Sequence, residues 1–332
     1  MKTTGCSVLG WGAVTPNGWA MPPGAAGLSL TTEYTLSGPG VPVSVQKVAE
    51  TGPLWERWKK EPRLRRASPI SRFMVQSVAA AMEGAAPGRR RGLIGVFFTG
   101  ALAYSRKFYE GCLRQGRQLA SPALFPETVY NSPLSHVAAI MGFDGPSYSL
   151  VGDESAWAGA CATADLWIGL GTVDEVVVVA AEELDPVSVE GMRAAGWLRR
   201  GYLPAEGASA LRLGPPEEPG PRLAVAAEAH PFRGPSSCRT AAGRVFARLS
   251  PGIPVLRTAG GLWSKSIESE LAGDRPVPAS EPGYAELGRC FAAGSGWALI
   301  HGLGNLGPDC PLIHVPLFGS YHAVSALTLA KA

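Results

Sequence analysis

No two of the six cysteines stand at a Cys-x-x-Cys spacing: Cys6, Cys112, Cys161, Cys238, Cys290 and Cys310 are scattered along 332 residues. With five histidines and no His-rich tract, the chain offers no zinc pattern. A reduced, cytoplasmic protein without a metal is the simplest account. No run of about 18 apolar residues occurs, so no membrane span is expected. The opening "MKTTGCSVLGWGAVTPNG" has too short an apolar stretch for a signal peptide. Neither a collagen period nor a low-complexity tract is present, although Gly 42 and Pro 29 imply many tight turns. A large excess of one charge is lacking too, since 30 Lys and Arg face 27 Asp and Glu, a net charge of +3.

What is present is a well-buried globular chain: 46% of residues are hydrophobic and 17% charged, enough for one large layered unit or two domains. The positive charge is uneven. Residues 56–91 hold ten Lys or Arg against three Glu, with Arg63, Arg65 and Arg66 at the centre of "WERWKKEPRLRRASPISR". Such a patch suits an anionic partner or is simply a solvated face. Nucleic acid is not expected, because no aromatic interleaving, helix-turn-helix or zinc pattern accompanies it.

Short apolar runs alternate with helical stretches, the signature of a layered α/β architecture. "CSVLGWGAV" (6–14) reads as a first strand ending in a Thr-Pro-Asn-Gly turn, followed by a Pro/Gly-rich excursion to about residue 68. "SPISRFMVQSVAAAMEGA" reads as an Ala-rich helix capped by Ser68. "GLIGVFFTG" (92–100) is a strand covered on both faces, leading into the helix "ALAYSRKFYEGCLRQG". "GPSYSLVG", a helix over 154–170 and "DEVVVVAAEEL" read as a right-handed crossover with a parallel pair. "EGASALRLG" gives another strand before "PPEEPGPR" (215–222), the best candidate boundary. It divides the chain into residues 1–215 and a smaller half, 216–332. "GLGNLG" (302–307) follows a helix and reads as a turn, not a dinucleotide site.

Four motifs together resemble the β-ketoacyl synthase family of the thiolase-like fold. "GWGAVTPNG" is similar to its opening strand and turn. Asn131, His136, Gly142, Gly145 and Pro146 match the run before its nucleophilic cysteine. Glu182 matches the acid ending its next strand, and Gly201, Tyr202, Glu206, Gly207 and Ala208 match its later Gly-Phe-x-x-Gly-Glu-Gly-Ala segment. The resemblance implies a thiolase-like αβαβα fold with two similar halves, the second shortened here, and no cofactor.

Counting without gaps from Gly145-Pro146 forward, and from Asp174 and Glu182 back, puts the family's cysteine position on Glu154. "GACATA" around Cys161 resembles the cysteine motif superficially, but using it would delete about two turns of a buried helix. A helix N-terminus favours thiolate, and it stabilises a glutamate equally, yet a carboxylate is a poor nucleophile towards a thioester. A purely structural alternative has Glu154 and Asp153 capping the helix. The family's second-half Lys and His find no match in "EPGYAELGRCFAAG", and His230 lacks the expected setting, reading better as a strand-end histidine. In place of the glycine-rich oxyanion loop stand Gly319, Ser320, Tyr321, His322, Ala323 and Val324. No catalytic set is intact.

A ketosynthase-like chain stripped in this way resembles the chain length factor, the non-catalytic partner of an active ketosynthase in type II polyketide synthases, and among these the aryl polyene and highly reducing kinds. That resemblance implies a heterodimer with an active ketosynthase, an acyl carrier protein docking on the complex, and a tunnel faced by Ala101, Tyr104 and Phe108. Their i, i+3, i+7 spacing puts the three on one helical face, which would also suit ordinary core packing. Arg63, Arg65 and Arg66 are candidates for carrier-protein docking, and Asp153, Ser155, Tyr321 and His322 for the pocket around Glu154. The rival reading is an acyltransferase or decarboxylase that uses Glu154 as base or Ser155 as acyl acceptor.

Overall fold

A computed structural model describes residues 5–19, 30–35, 42–198, 202–278, 287–321 and 323–332. Strand β1 (Cys6–Val14) ends where Thr15 and Gly18 exchange backbone hydrogen bonds of 2.9 Å, the turn expected from Thr-Pro-Asn-Gly. Within the Pro/Gly-rich excursion, β2 (Leu30–Thr35) and β3 (Pro42–Lys47) form a separate antiparallel ribbon, and α1 (Pro53–Lys60) buries Trp55 and Trp58. Helix α2 (Pro69–Ala81) follows with Pro69 in its first turn. Ser68 does not cap it. The Ser68 hydroxyl donates instead to Glu183 Oε2 at 2.5 Å, and the same oxygen accepts from Ile70 N at 3.1 Å. A remote carboxylate thus replaces the local cap and brings its charge to the positive end of the helix.

Next come β4 (Arg91–Phe97), α3 (Leu102–Gln115), α4 (Ser132–Met141), β5 (Ser147–Val151), α5 (Ala156–Gly169) and β6 (Glu175–Glu182). Then follow α6 (Pro186–Ala194), β7 (Gly207–Gly214), β8 (Arg222–Pro231), α7 (Pro235–Phe246), α8 (Leu262–Ala272), α9 (Phe291–Gly304), β9 (Leu312–Phe318) and β10 (Ala323–Ala330). The GxGxxG-like stretch is the last turn of α9 and its exit.

Among the described residues the main sheet has eight strands in the order β5-β4-β6-β7-β1-β8-β10-β9. β5 and β6 both run parallel to β4 but lie on opposite sides of it, so the expected parallel pair is a triplet with β4 between. Outward from the β1–β8 seam the two directions match. β1, β7, β6 and β4 in one are answered by β8, β10 and β9 in the other, and beyond β9 a single parallel bridge joins Val255 to His314 where the first half has a whole strand. The second half therefore repeats the first in shortened form.

Among the described residues three large apolar cores separate the layers, and a smaller fourth surrounds Phe291. α2 and α4 cover one face of the first half, and α7 and α8 cover the second half. α5 and α9 touch strands of both halves and form the middle layer, giving the αβαβα order. Trp157 of α5 and Trp297 of α9 are fully buried there, their indole N–H groups donating to Ala292 O (2.6 Å) and Ala208 O (3.0 Å). β6, with Val176 to Val179 wholly buried, is apolar on both faces because helices cover both.

Candidate functional site

The junction between β5 and α5 places Asp153, Glu154 and Ser155 at the head of the middle-layer helix. Ser155 is the N-cap residue, and all three are buried. Cys161 lies inside the helix, two turns further on, also buried. Glu154 does not cap α5. Its side chain reaches into the loop between β9 and β10, where Ser320 N donates to Oε2 at 2.7 Å and Ser320 Oγ donates to Oε1 at 2.5 Å. Asp153 grips the same loop through Tyr321 N (3.1 Å), while its other oxygen accepts from Ser155 N (3.1 Å) and Ser155 Oγ (2.7 Å). Gly319 fits because a Cβ there would stand 2.3 Å from Asp153 Oδ2. Two adjacent acids from the first half thus latch a loop of the second.

Burial pushes the Glu154 carboxyl up to about 7, and the charge of Asp153 adds to the rise against the opposing Ser320 hydrogen bonds. Glu182 and Glu206, singled out in the sequence, hold loops around the site. Glu182 accepts from Phe98 N, Thr99 N and Thr99 Oγ1. Glu206 accepts from Val48 N (3.1 Å) and Leu184 N (3.0 Å), with Lys47 Nζ at 3.6 Å. Burial raises both to about 7.

A cavity of about 440 Å³ opens beside Glu154, lined also by Arg257, Thr258, Arg289, Cys290, Phe291 and Trp297. Sequence reasoning missed Arg257, Arg289 and Cys290. The available signal was "IPVLRTAGG": a short apolar run ending in a polar residue is what a strand pointing at a site looks like, and Val255 does continue the sheet beside His314. Phe291, at the first position of α9, has a positive φ of 42° and stacks on Phe98 with ring centroids 4.3 Å apart. Together with Trp197 and Tyr202, the two rings form an aromatic cluster at the edge of the cavity.

The other sequence candidates are spread out. Tyr321 is exposed, and His322 lies outside the described residues. His230 ends β8 opposite Val324, and His136 Nε2 pairs with Glu127 Oε1 at 2.9 Å. Ala101 is buried at the N-cap of α3. Tyr104 and Phe108 are half-buried on the same helix, Phe108 packing 5.6 Å from the Phe125 ring. Arg63, Arg65 and Arg66 are all exposed. Among the described residues no group of three or more His, Cys, Asp or Glu could hold a metal, and no helix is long and apolar enough to cross a membrane.

Cys290 is the only cysteine lining the cavity among the described residues, and burial pushes its thiol well above the usual range, as it does that of Cys161. Neither is a thiolate near neutral pH. Maleimide labelling of the native protein is expected to reach the partly exposed Cys112 first and to leave Cys161 and Cys290 unmodified until unfolding. Rapid native modification of Cys290, read by peptide mass spectrometry, would contradict its assignment as inert.

The layered sheet, its middle helices and the latched loop together make this a thiolase-like, ketosynthase-type fold. Residues 49–213 match the family model of the β-ketoacyl synthase N-terminal domain. No curated protein matches the sequence. Among solved structures the chain is similar to the ishigamide ketosynthase/chain length factor, at 16% identity and a TM-score of 0.77, over 98% of this chain and 99% of that one. It is also similar to the ketosynthase ApeO in complex with its chain length factor ApeC from Xenorhabdus doucetiae, at 14% identity and a TM-score of 0.70, over 99% and 98% of the two chains. A third is a type II acyl carrier protein in complex with its ketosynthase bound to the hexaketide (AntDE:AntF), at 14% identity and a TM-score of 0.73, over 100% of both.

Proposed function

We propose that this chain is a non-catalytic, ketosynthase-like subunit. It pairs with an active ketosynthase and shapes the acyl tunnel in type II polyketide or aryl polyene biosynthesis. The observation that carries this reading is the fate of the nucleophile position. Glu154 stands there, and both its oxygens are bound by Ser320, whose backbone N–H would otherwise be free to face a thioester oxygen. At that position the described residues offer neither a thiol nor an open Ser320 donor.

The surface supports a partner. α3, the segments after it and the edge strand β5 expose Tyr109, Leu113, Leu119, Phe125, Tyr148 and Val151, an apolar area of the kind that marks an interface. Among the described residues β5 pairs only with β4, which leaves one side of its backbone for another strand. In this reading Ala101, Tyr104 and Phe108 bound the tunnel beside that interface, and Arg63, Arg65 and Arg66 attract an acidic acyl carrier protein in the cytoplasm. The halves 1–215 and 216–332 are one functional body, because the acids of the first hold the loop of the second.

Co-expression with an active type II ketosynthase, followed by native mass spectrometry, tests the reading. A one-to-one complex that condenses acyl groups while this chain alone does not is the expected result. An inert mixture with no complex, or turnover by this chain alone, overturns it; the latter would favour an acyltransferase or decarboxylase working through Glu154 or Ser155.

A further inference from the structure

Two cavities meet at Arg289. The larger, of about 440 Å³, has Leu203, Phe291, Trp297 and Phe318 in its walls, and the smaller, of about 40 Å³, has Trp197, Tyr202 and Trp263. Glu154, Gly260, Arg289 and Phe318 line both. The guanidinium is held in place: its Nη1 donates to Thr258 O at 3.1 Å, and it lies against the backbone of Gly260. A Cβ on Gly260 would stand 1.4 Å from Arg289 Cζ and 1.7 Å from Nη2, so a glycine alone leaves the guanidinium where it is. Among the described residues Arg289 forms no ion pair, and its side chain has that one backbone carbonyl as hydrogen-bond partner. Most of its five N–H donors remain for a ligand.

The acids nearby are already engaged. Both oxygens of Glu154 accept from Ser320, and those of Glu268 accept from Thr258 N (2.9 Å) and Ala259 N (3.2 Å). Burial raises each to about 7, which lowers their average negative charge near neutral pH. Arg257 and the exposed Lys265 add positive charge to the wall. Tyr202, itself buried, lines the smaller cavity. A fixed planar fork above aromatic and aliphatic walls suits a planar anion with an apolar tail better than it suits phosphate.

We propose that this chamber binds an aliphatic carboxylate non-covalently, its carboxylate on the Arg289 guanidinium and its tail against Phe291, Trp297 and Phe318. The inference does not depend on pairing with a ketosynthase, because every residue in it belongs to this chain.

The test is isothermal titration of the full chain, alone, with octanoate. Saturable binding is expected, weakened roughly tenfold or more in Arg289→Met and in Gly260→Ala, since a charge-assisted hydrogen-bond pair is lost in each. Gly260→Ala keeps the charge and moves the fork. Arg289→Lys keeps both fold and charge without the fork, and is expected to bind at least several-fold more weakly than the native chain. Octan-1-ol is expected to bind far more weakly than octanoate, and inorganic phosphate not to compete. Absence of saturable octanoate binding, equal affinity in all the variants, equal binding of octanol, or full competition by phosphate would each overturn the proposal. Complex formation with the ketosynthase, measured separately, would be untouched by any of these results.

Discussion

Replacing Val151 with aspartate is expected to abolish the proposed complex with a ketosynthase while leaving this chain folded. Among the described residues β5 is the outermost strand of the first half and is bonded on one side alone, Leu93 to Phe97 of β4 pairing in parallel with Ser147 to Val151. Val151 is 56% exposed and Tyr148 46% exposed. A strand with an open backbone edge and apolar exposed side chains is a template for another strand, and soluble proteins normally blunt such edges with charge, proline or a cover. None of those residues occurs in "SYSLV". Adding a partner's strand there would satisfy the open backbone groups and bury both side chains. A carboxylate in that buried seam would lack a counter-charge, at a cost of several kcal/mol, which is a loss in affinity of a hundredfold or more. In the free chain the same substitution faces water and is expected to change stability by about 0.5 kcal/mol at most. Size-exclusion chromatography with light scattering reads the complex and a thermal melt reads the fold. A complex that survives Val151→Asp would put the interface elsewhere.

The fold was legible wherever one layer of structure dictates the residue pattern. β6 is an unbroken apolar run because it is covered on both faces, and β1, β4, β5 and β7 were likewise readable as strands. The assignment of Glu154 to the nucleophile position comes from counting between fixed glycines and acids on either side, and a shift of two turns in α5 would empty the contacts of the buried Trp157. Long-range partnerships were not legible. Nothing local says that Ser68 gives its hydroxyl to Glu183, 115 residues away, or that Glu154 binds Ser320, 166 residues away. Arg257 and Arg289 were missed for a related reason. The strand that should announce them has shrunk to one bridge at Val255, too short to leave a periodic pattern. The order β5-β4-β6 was likewise beyond local reading, since a crossover pattern fixes direction but not which strand lies between.

Glu154→Gln is expected to stabilise the protein above neutral pH and to affect it far less at pH 5. Burial raises the Glu154 carboxyl from an ordinary 4.5 to about 7, so the folded state holds its proton more tightly than the unfolded state does. For a group raised in this way the stabilising contribution is complete below about 4.5 and is lost as pH rises through about 7. Above that, the native chain carries a buried negative charge next to Asp153, and glutamine does not. The amide can still accept from Ser320 N, and its NH₂ can donate to Ser320 Oγ, so the latch on the loop persists. The difference between the two proteins is therefore expected to grow from under about 1 kcal/mol at pH 5 to on the order of 3 kcal/mol at pH 8.5, the most that such a shift can supply. Glu182, Glu206 and Glu268 are raised by burial in the same sense, so both proteins lose stability on going from pH 5 to 8.5, and only their difference isolates Glu154. Denaturant unfolding at the two pH values measures it. A variant less stable than the native chain at pH 8.5 would mean that the negative charge itself holds Ser320, and that the nucleophile position was refilled with an anion in order to close the oxyanion site.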